Sequence, residues 1–304
     1  MTALPASFEA RVRLVFGSAG RRWLAALPDL LATYAARWAL TLGEPYPLSY
    51  SYVTRATRAD GTPAVLKLAV PGRHELACQL TTLTLLGGRG AAALLEADGA
   101  GGAMLLERVE PGTPLAELAE TDDTAATAVL LDVMRRLHRP AVAGTRLPTT
   151  ADWGGAFAGL RERHGGGTGP LPAATVRRAE RTWAELLDSA APPVLLHGDL
   201  HHDNVLRSDR DGWLAVDAKG VLGEPAFEVG PLMLNPWTRL LEWPDPGRVL
   251  ARRVGQLAEG LGVDAERVRR WGFAFAVVSS IWMEEDEGAP DEYSLACAEL
   301  LDSL

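Results

Sequence analysis

Apolar residues recur at helical spacing from Arg21 to Leu40, where Trp23, Leu24, Leu27, Leu30, Leu31, Tyr34 and Trp38 share one face. The pattern predicts a helix that Pro28 kinks or divides in two. After "GEPYP" the period changes. "LSYSYVTRATRADGTPAVLKLAV" reads as two strands around the turn signal Asp60-Gly61. His74 to Leu86 is helical again, and "AALLEADGAGGAMLLERVE" splits into two short apolar runs at a glycine-rich turn. The predicted order is helix, hairpin, helix, hairpin.

Beyond about Val109 the pattern is mostly helical. "DDTAATAVLLDVMRRLH" is a helix capped by Thr121 or Asp122. "LPTTADWGGAFAGLRERHGGGTGPLP" is a shorter helix ending in a Gly/Pro-rich loop, and "AATVRRAERTWAELLDSA" is stopped by Pro192-Pro193. "VLLHGDLHHDNVL" then reads as a strand entering a polar loop, and "GWLAVDAKG" as a short strand with a polar end. From "DPGRVL" onward the chain is helical. These patterns predict an α+β protein with a mixed part over 1–108 and a mainly helical part over 109–304.

Composition narrows the function. The 304 residues are 47% hydrophobic, enough for a sizeable core. A net charge of −9 repels polyphosphate backbones, so nucleic acid is not an expected partner. Cys78 and Cys297 are too few for a disulfide framework. The N-terminal stretch lacks the apolar h-region of a signal peptide, and no segment has the length of a membrane span. A cytoplasmic protein without a membrane partner is expected.

The candidate chemistry lies in "HGDLHHDN". Zinc is one reading, since His197 and His201 are four apart, but Gly198 stands where a zinc protease places its glutamate. A phosphotransfer loop fits better. His197-Gly198-Asp199 is followed by Asn204 five residues after the aspartate. A carboxylate must orient the attacking hydroxyl, and an amide from the same loop must reach a metal under the phosphates. Asp217, at the end of the next strand, offers a second carboxylate for that metal. Lys67 on a strand and Glu75 at the start of a helix offer a cation for the phosphates and an acid to hold it. No Walker loop is present, and "GRGAAA" follows a helix and reads as a helix stop.

These residues resemble the aminoglycoside phosphotransferase branch of the protein-kinase-like fold. "VDAKGVLGEPAFEVGPLMLNP", "RWALTLGEPYP", "DGTPAVLKL", "LLERVEPGTPL" and "SIWMEEDEG" are similar to its streptomycin 6-kinase group, the aminoglycoside/hydroxyurea antibiotic resistance kinases. The resemblance implies a bilobal fold, a small β-rich N-lobe and a larger helical C-lobe with ATP bound between them. It makes Asp199 the catalytic base, Asn204 and Asp217 the Mg²⁺ ligands, and Lys67 with Glu75 the phosphate grip. The backbone of Glu107 and Val109 would meet adenine, and Ser49 and Ser51 would lie in the phosphate cover. GTP is the open alternative to ATP. The substrate would be a small cationic or hydroxyl-bearing molecule, with His202, Glu285 and Asp286 as candidates to face it. Hydroxyurea, an amino sugar or another metabolite is the alternative acceptor, and a non-catalytic kinase-like nucleotide-binding protein is the alternative class.

Supporting roles are also expected. His197 holds the loop through backbone bonds, Asp203 satisfies loop amides, and Glu228 braces the loop. Lys219 either touches the γ-phosphate or pairs with a carboxylate such as Glu224 or Glu228. Trp153, Trp183 and Trp282 belong to the core.

Overall fold

The computed structural model describes residues 4–72, 74–142 and 144–304. The chain forms two units, one ending at Glu110 and the other beginning at Pro111.

Among the described residues, the first unit contains α1 (Ala6–Arg37), β1 (Leu40–Pro45), β2 (Tyr52–Arg58), β3 (Pro63–Leu68), α2 (His74–Leu86), β4 (Leu94–Asp98) and β5 (Ala103–Glu107). The strands form an antiparallel sheet in the order β1-β2-β3-β5-β4. Asp60-Gly61 makes the β2–β3 turn as expected, with Gly61 at φ 85°. β3 alternates strictly. Ala64, Leu66 and Leu68 are buried, while Val65 and Lys67 take the opposite face. Each leucine buried this way contributes about 1.5–3 kcal/mol.

Two features of this unit differ from the sequence pattern. β1 was not expected, because the helical period runs on to Leu40. The helix instead ends at Arg37, and Ala39 turns the chain into the sheet at φ 51°. The break in α1 lies at Gly17 (φ 54°, ψ −126°), and Pro28 sits inside the helix. Beyond that break the N-terminal arm folds back, setting Phe8 against Trp23 with ring centroids 6.2 Å apart. A Cβ on Gly20 would stand 2.4 Å from the Val12 carbonyl oxygen, so only glycine permits the approach.

Among the described residues, the second unit opens with β6 (Pro111–Pro114), α3 (Leu115–Ala119), α4 (Asp123–Leu137) and β7 (Arg139–Pro140). Asp122 is the cap of α4, accepting the Ala125 N–H at 2.9 Å. α5 (Thr150–Arg163), α6 (Ala173–Asp188), β8 (Val194–Leu196), β9 (Val205–Ser208), β10 (Gly212–Ala215) and β11 (Val221–Gly223) follow. The chain closes with α7 (Val229–Leu232), α8 (Pro246–Leu261), α9 (Ala265–Glu287) and α10 (Glu292–Ser303). No helix among the described residues is long and apolar enough to cross a membrane.

α9 is buried around most of its circumference because α5, α6, α7, α8 and α10 pack against it. The core beside it is aromatic. Phe227 is fully buried and meets Trp153, Trp183, Trp271 and Phe275 edge-on, with centroids 5.0–5.9 Å apart. Trp282 joins through Trp153, so all three expected core tryptophans lie in this cluster. Phe227→Ala should therefore cost about 3–5 kcal/mol. Urea unfolding measures this, and a loss under about 1 kcal/mol would show that the cluster collapses onto the void.

Candidate active site

Two short sheets of the second unit share one stretch of chain. β8 and β11 pair in one sheet with β7, and β9 and β10 pair in the other with β6. The chain therefore crosses between sheets twice, at His197–Asn204 and again at Val216–Gly220. The two crossings lie side by side and are sewn together by backbone. Val216 N–H donates to the Asn204 carbonyl at 2.9 Å, and the Lys219 and Gly220 N–H groups both donate to the His197 carbonyl, at 2.9 and 3.0 Å. Asp199, Asn204, Asp217 and Lys219 meet at this seam.

His197 is buried and acts on backbone, as its sequence reading expected. Its Nε2 lies 2.9 Å from the Val216 carbonyl, which can only accept, so Nε2 carries the proton. Nδ1 then accepts the Asp199 N–H at 3.2 Å. Burial pushes this imidazole below its ordinary pKa against the pull of Glu228 and Asp199, consistent with a neutral ring. Gly198 follows at φ 85°, and a Cβ there would stand 3.0 Å from Trp153 Cη2 and 3.3 Å from Val221 Cγ1. The left-handed backbone at this middle position favours glycine, and Trp153 and Val221 leave little room for a side chain.

Glu228 braces the loop. It is fully buried and accepts the N–H groups of His197 and Gly198 at 2.7 and 2.8 Å. His138 Nε2 lies 3.5 Å from Oε2, ion-pair range rather than a formed hydrogen bond. Burial alone would raise this carboxyl. His138, His197 and the Gly198 N–H outweigh it and hold Glu228 below its ordinary value.

The candidate catalytic atoms stand on this frame. Asn204 Nδ2 donates to the Asp199 carbonyl at 2.9 Å, which leaves Oδ1 as the amide atom able to meet a cation. Asp217 takes φ 59°, a left-handed backbone that costs a non-glycine residue about 1–3 kcal/mol. Lys219 Nζ lies 3.5 Å from Asp217 Oδ2 and 3.8 Å from Asp199 Oδ2. His201 Nε2 lies 3.7 Å from the other carboxylate oxygen, Asp199 Oδ1.

Several sequence expectations need correction. His202, a candidate to face substrate, is fully buried against Arg253 (3.5 Å) and Asp123 (3.9 Å), where no substrate reaches it. Its Nδ1 has no hydrogen-bond partner among the described residues. Lys219 does pair with carboxylates, but with those of Asp199 and Asp217 rather than Glu224 or Glu228. Glu224 is instead taken by Arg267, Trp271 and the Ala191 N–H, and Glu228 by the loop. Asp203 is exposed, and it is His201 Nδ1 that accepts a loop amide, the N–H of Asp203, at 3.3 Å. In "EEDE", Glu285 and Asp286 are exposed at the end of α9, while Glu284 turns inward to Arg163 (2.9 Å) and His164 (2.8 Å). The sequence carried a signal for Glu284, which stands three residues after buried Ile281 on the same helix face.

The first-unit candidates lie on their expected types of element or on the loop between them. Lys67 is on β3 and Glu75 in the first turn of α2. Ser49 and Ser51 lie in the irregular loop between β1 and β2, ahead of the strand. Glu107 ends β5, where its Oε2 accepts the Ala93 N–H at 2.9 Å, and Val109 is buried two residues on.

An antiparallel five-stranded sheet with its helix, followed by a helical unit carrying Asp199, Asn204 and Asp217 at one seam, defines a protein-kinase-like phosphotransferase fold. The family model for aminoglycoside/hydroxyurea antibiotic resistance kinases matches residues 37–287, and the chain belongs to that family. It is 32% identical to a streptomycin 6-kinase of Streptomyces glaucescens, covering 99% of this chain and 97% of that protein. It is 37% identical to a hydroxyurea phosphotransferase of Kitasatospora aureofaciens, covering 94% and 82%. A solved thermostable mutant of an aminoglycoside phosphotransferase, in ternary complex with ADP and hygromycin B, shares the fold. Its TM-score is 0.59 at 16% identity, covering 90% of this chain and 97% of that one.

The buried histidines predict a pH dependence of stability. Burial holds both His197 and His202 below the ordinary value of 6.5. The unfolded chain protonates them as pH falls through that value, and the folded chain does not. Their contribution is therefore complete above about pH 6.5 and lost as pH falls towards the depressed native values, at up to about 1.4 kcal/mol per pH unit for each ring. Urea unfolding at pH 7.5 and 5.5 should show the loss. An unfolding free energy level across that window would contradict neutral buried rings.

Proposed function

We propose that this protein phosphorylates a hydroxyl of a streptomycin-type aminoglycoside, using ATP. The observation that carries the reading is the seam holding Asp199, Asn204 and Asp217 side by side through the backbone bonds of Val216, Lys219 and Gly220. Asp199 orients the acceptor hydroxyl and takes its proton. The acceptor oxygen forms a bond to the γ-phosphorus as the bridging bond to the β-phosphate breaks, and ADP leaves with the electron pair. Lys67, held by Glu75, grips the phosphates, and Ser49 and Ser51 cover them. The backbone at Glu107 and Val109 receives the base. In this reading 1–108 binds nucleotide and 109–304 carries the catalytic loop and acceptor site.

The donor set suits Mg²⁺, which prefers oxygen and keeps water and phosphate among its ligands. Asp217 and the Asn204 Oδ1 are both oxygen donors, and no group of three or more His, Cys, Asp or Glu able to cage a metal exists among the described residues. These two residues would hold the ion, which neutralises phosphate charge when bound. Glu285 and Asp286 are exposed carboxylates suited to a polycationic acceptor, on a chain of net charge −9. The need for ATP puts the reaction in the cytoplasm. Hydroxyurea is the second reading, favoured by the 37% identity to a hydroxyurea phosphotransferase.

ADP release measured against streptomycin, deoxystreptamine aminoglycosides, hydroxyurea and amino sugars separates these acceptors. Asp199→Asn should reduce turnover of the accepted substrate by roughly a thousandfold or more while nucleotide still binds. Full turnover in that variant would remove Asp199 from the chemistry.

A further inference from the structure

Lys219 sits at the centre of the seam without a role so far. Its backbone is pinned, because its N–H donates to the His197 carbonyl at 2.9 Å. Its Cβ lies 3.4 Å from where a Cβ on residue 198 would stand, an ordinary contact distance, so the two crossings run close together here. Nζ reaches both acids, 3.5 Å from Asp217 Oδ2 and 3.8 Å from Asp199 Oδ2. Two carboxylates brought this close repel each other unless a cation stands between them, and here the cation belongs to the chain. The side chain is 41% exposed, so the contacts are solvent-screened and exchangeable.

We propose that Lys219 is a positioning residue with two states. Without metal it neutralises the Asp199–Asp217 pair and keeps both carboxylates turned into the seam. When a divalent cation takes Asp217, Lys219 gives that carboxylate up and keeps Asp199, fixing the carboxylate that receives the hydroxyl proton. Lys219 thus competes with metal for Asp217 and supports Asp199 in turnover. The inference rests on the phosphotransfer reading of Asp199 and Asp217.

These two effects have opposite signs, which a merely structural lysine does not produce. The test measures Mn²⁺ binding to the enzyme–ADP complex by electron paramagnetic resonance, alongside kcat and KM. Lys219→Met should bind Mn²⁺ about threefold more tightly, as expected for losing a competing exposed cation. Its kcat should fall roughly tenfold, with KM for ATP little changed. Lys219→Arg should restore weaker Mn²⁺ binding and part of kcat. Unchanged or undetectable Mn²⁺ binding in both wild type and Lys219→Met, or a wild-type kcat in that variant, overturns the proposal. Asp217→Asn separates the levels. If it leaves Mn²⁺ affinity intact, the metal-site reading itself fails. If it weakens Mn²⁺ while Lys219→Met does not tighten it, only the role of Lys219 fails.

Discussion

Glu228 is a carboxylate with no exposure that accepts the backbone N–H groups of His197 and Gly198. Burying such a charge is expensive unless it is paired and hydrogen-bonded. Here its bonds hold the end of β8 and the start of the crossing loop. Those same residues return the favour through the neighbouring crossing. His197 receives Lys219 and Gly220 on its carbonyl and reaches Val216 with its ring. A one-residue slip of this loop would leave the carboxylate buried with donors missing. The positions of Asp199, Asn204 and Asp217 all descend from that constraint.

The frame behind the loop is aromatic. Trp153 packs close behind the left-handed Gly198, and Phe227 ties Trp153 to the tryptophans packed on α9. Phe227 and Glu228 are consecutive, so one turn of chain sends a ring into the core and a carboxylate into the loop. Packing and polar bonding therefore act on the same few residues. The strained φ of Asp217 persists because Val216 before it and Lys219 after it are both pinned by backbone bonds.

How much of this was legible varies by residue. The five-residue spacing from Asp199 to Asn204 lies within one short stretch, so it shows in the chain itself. The turn at Asp60-Gly61 and the alternation around Lys67 are equally local. Glu228 was readable as a brace, though not its two donors. His202 was misread because a histidine in a polar loop looks solvated, and only the packing of α8 brings Arg253 over it. β1 was missed because its leucines continue the period of the preceding helix.

The sequence alone determined the kind of chemistry, since residue types and their spacing within one loop do not depend on what packs around them. It also determined the family, through motifs spread along most of the chain. Tertiary structure decided which polar side chains meet. That Lys219 faces Asp199 and Asp217 rather than Glu224 or Glu228, and that Glu284 is buried while Glu285 and Asp286 are not, follows from sheet crossings and helix faces. Such pairings are set by contacts between elements distant in sequence, and burial then selects the partners by the cost of leaving a charge unpaired.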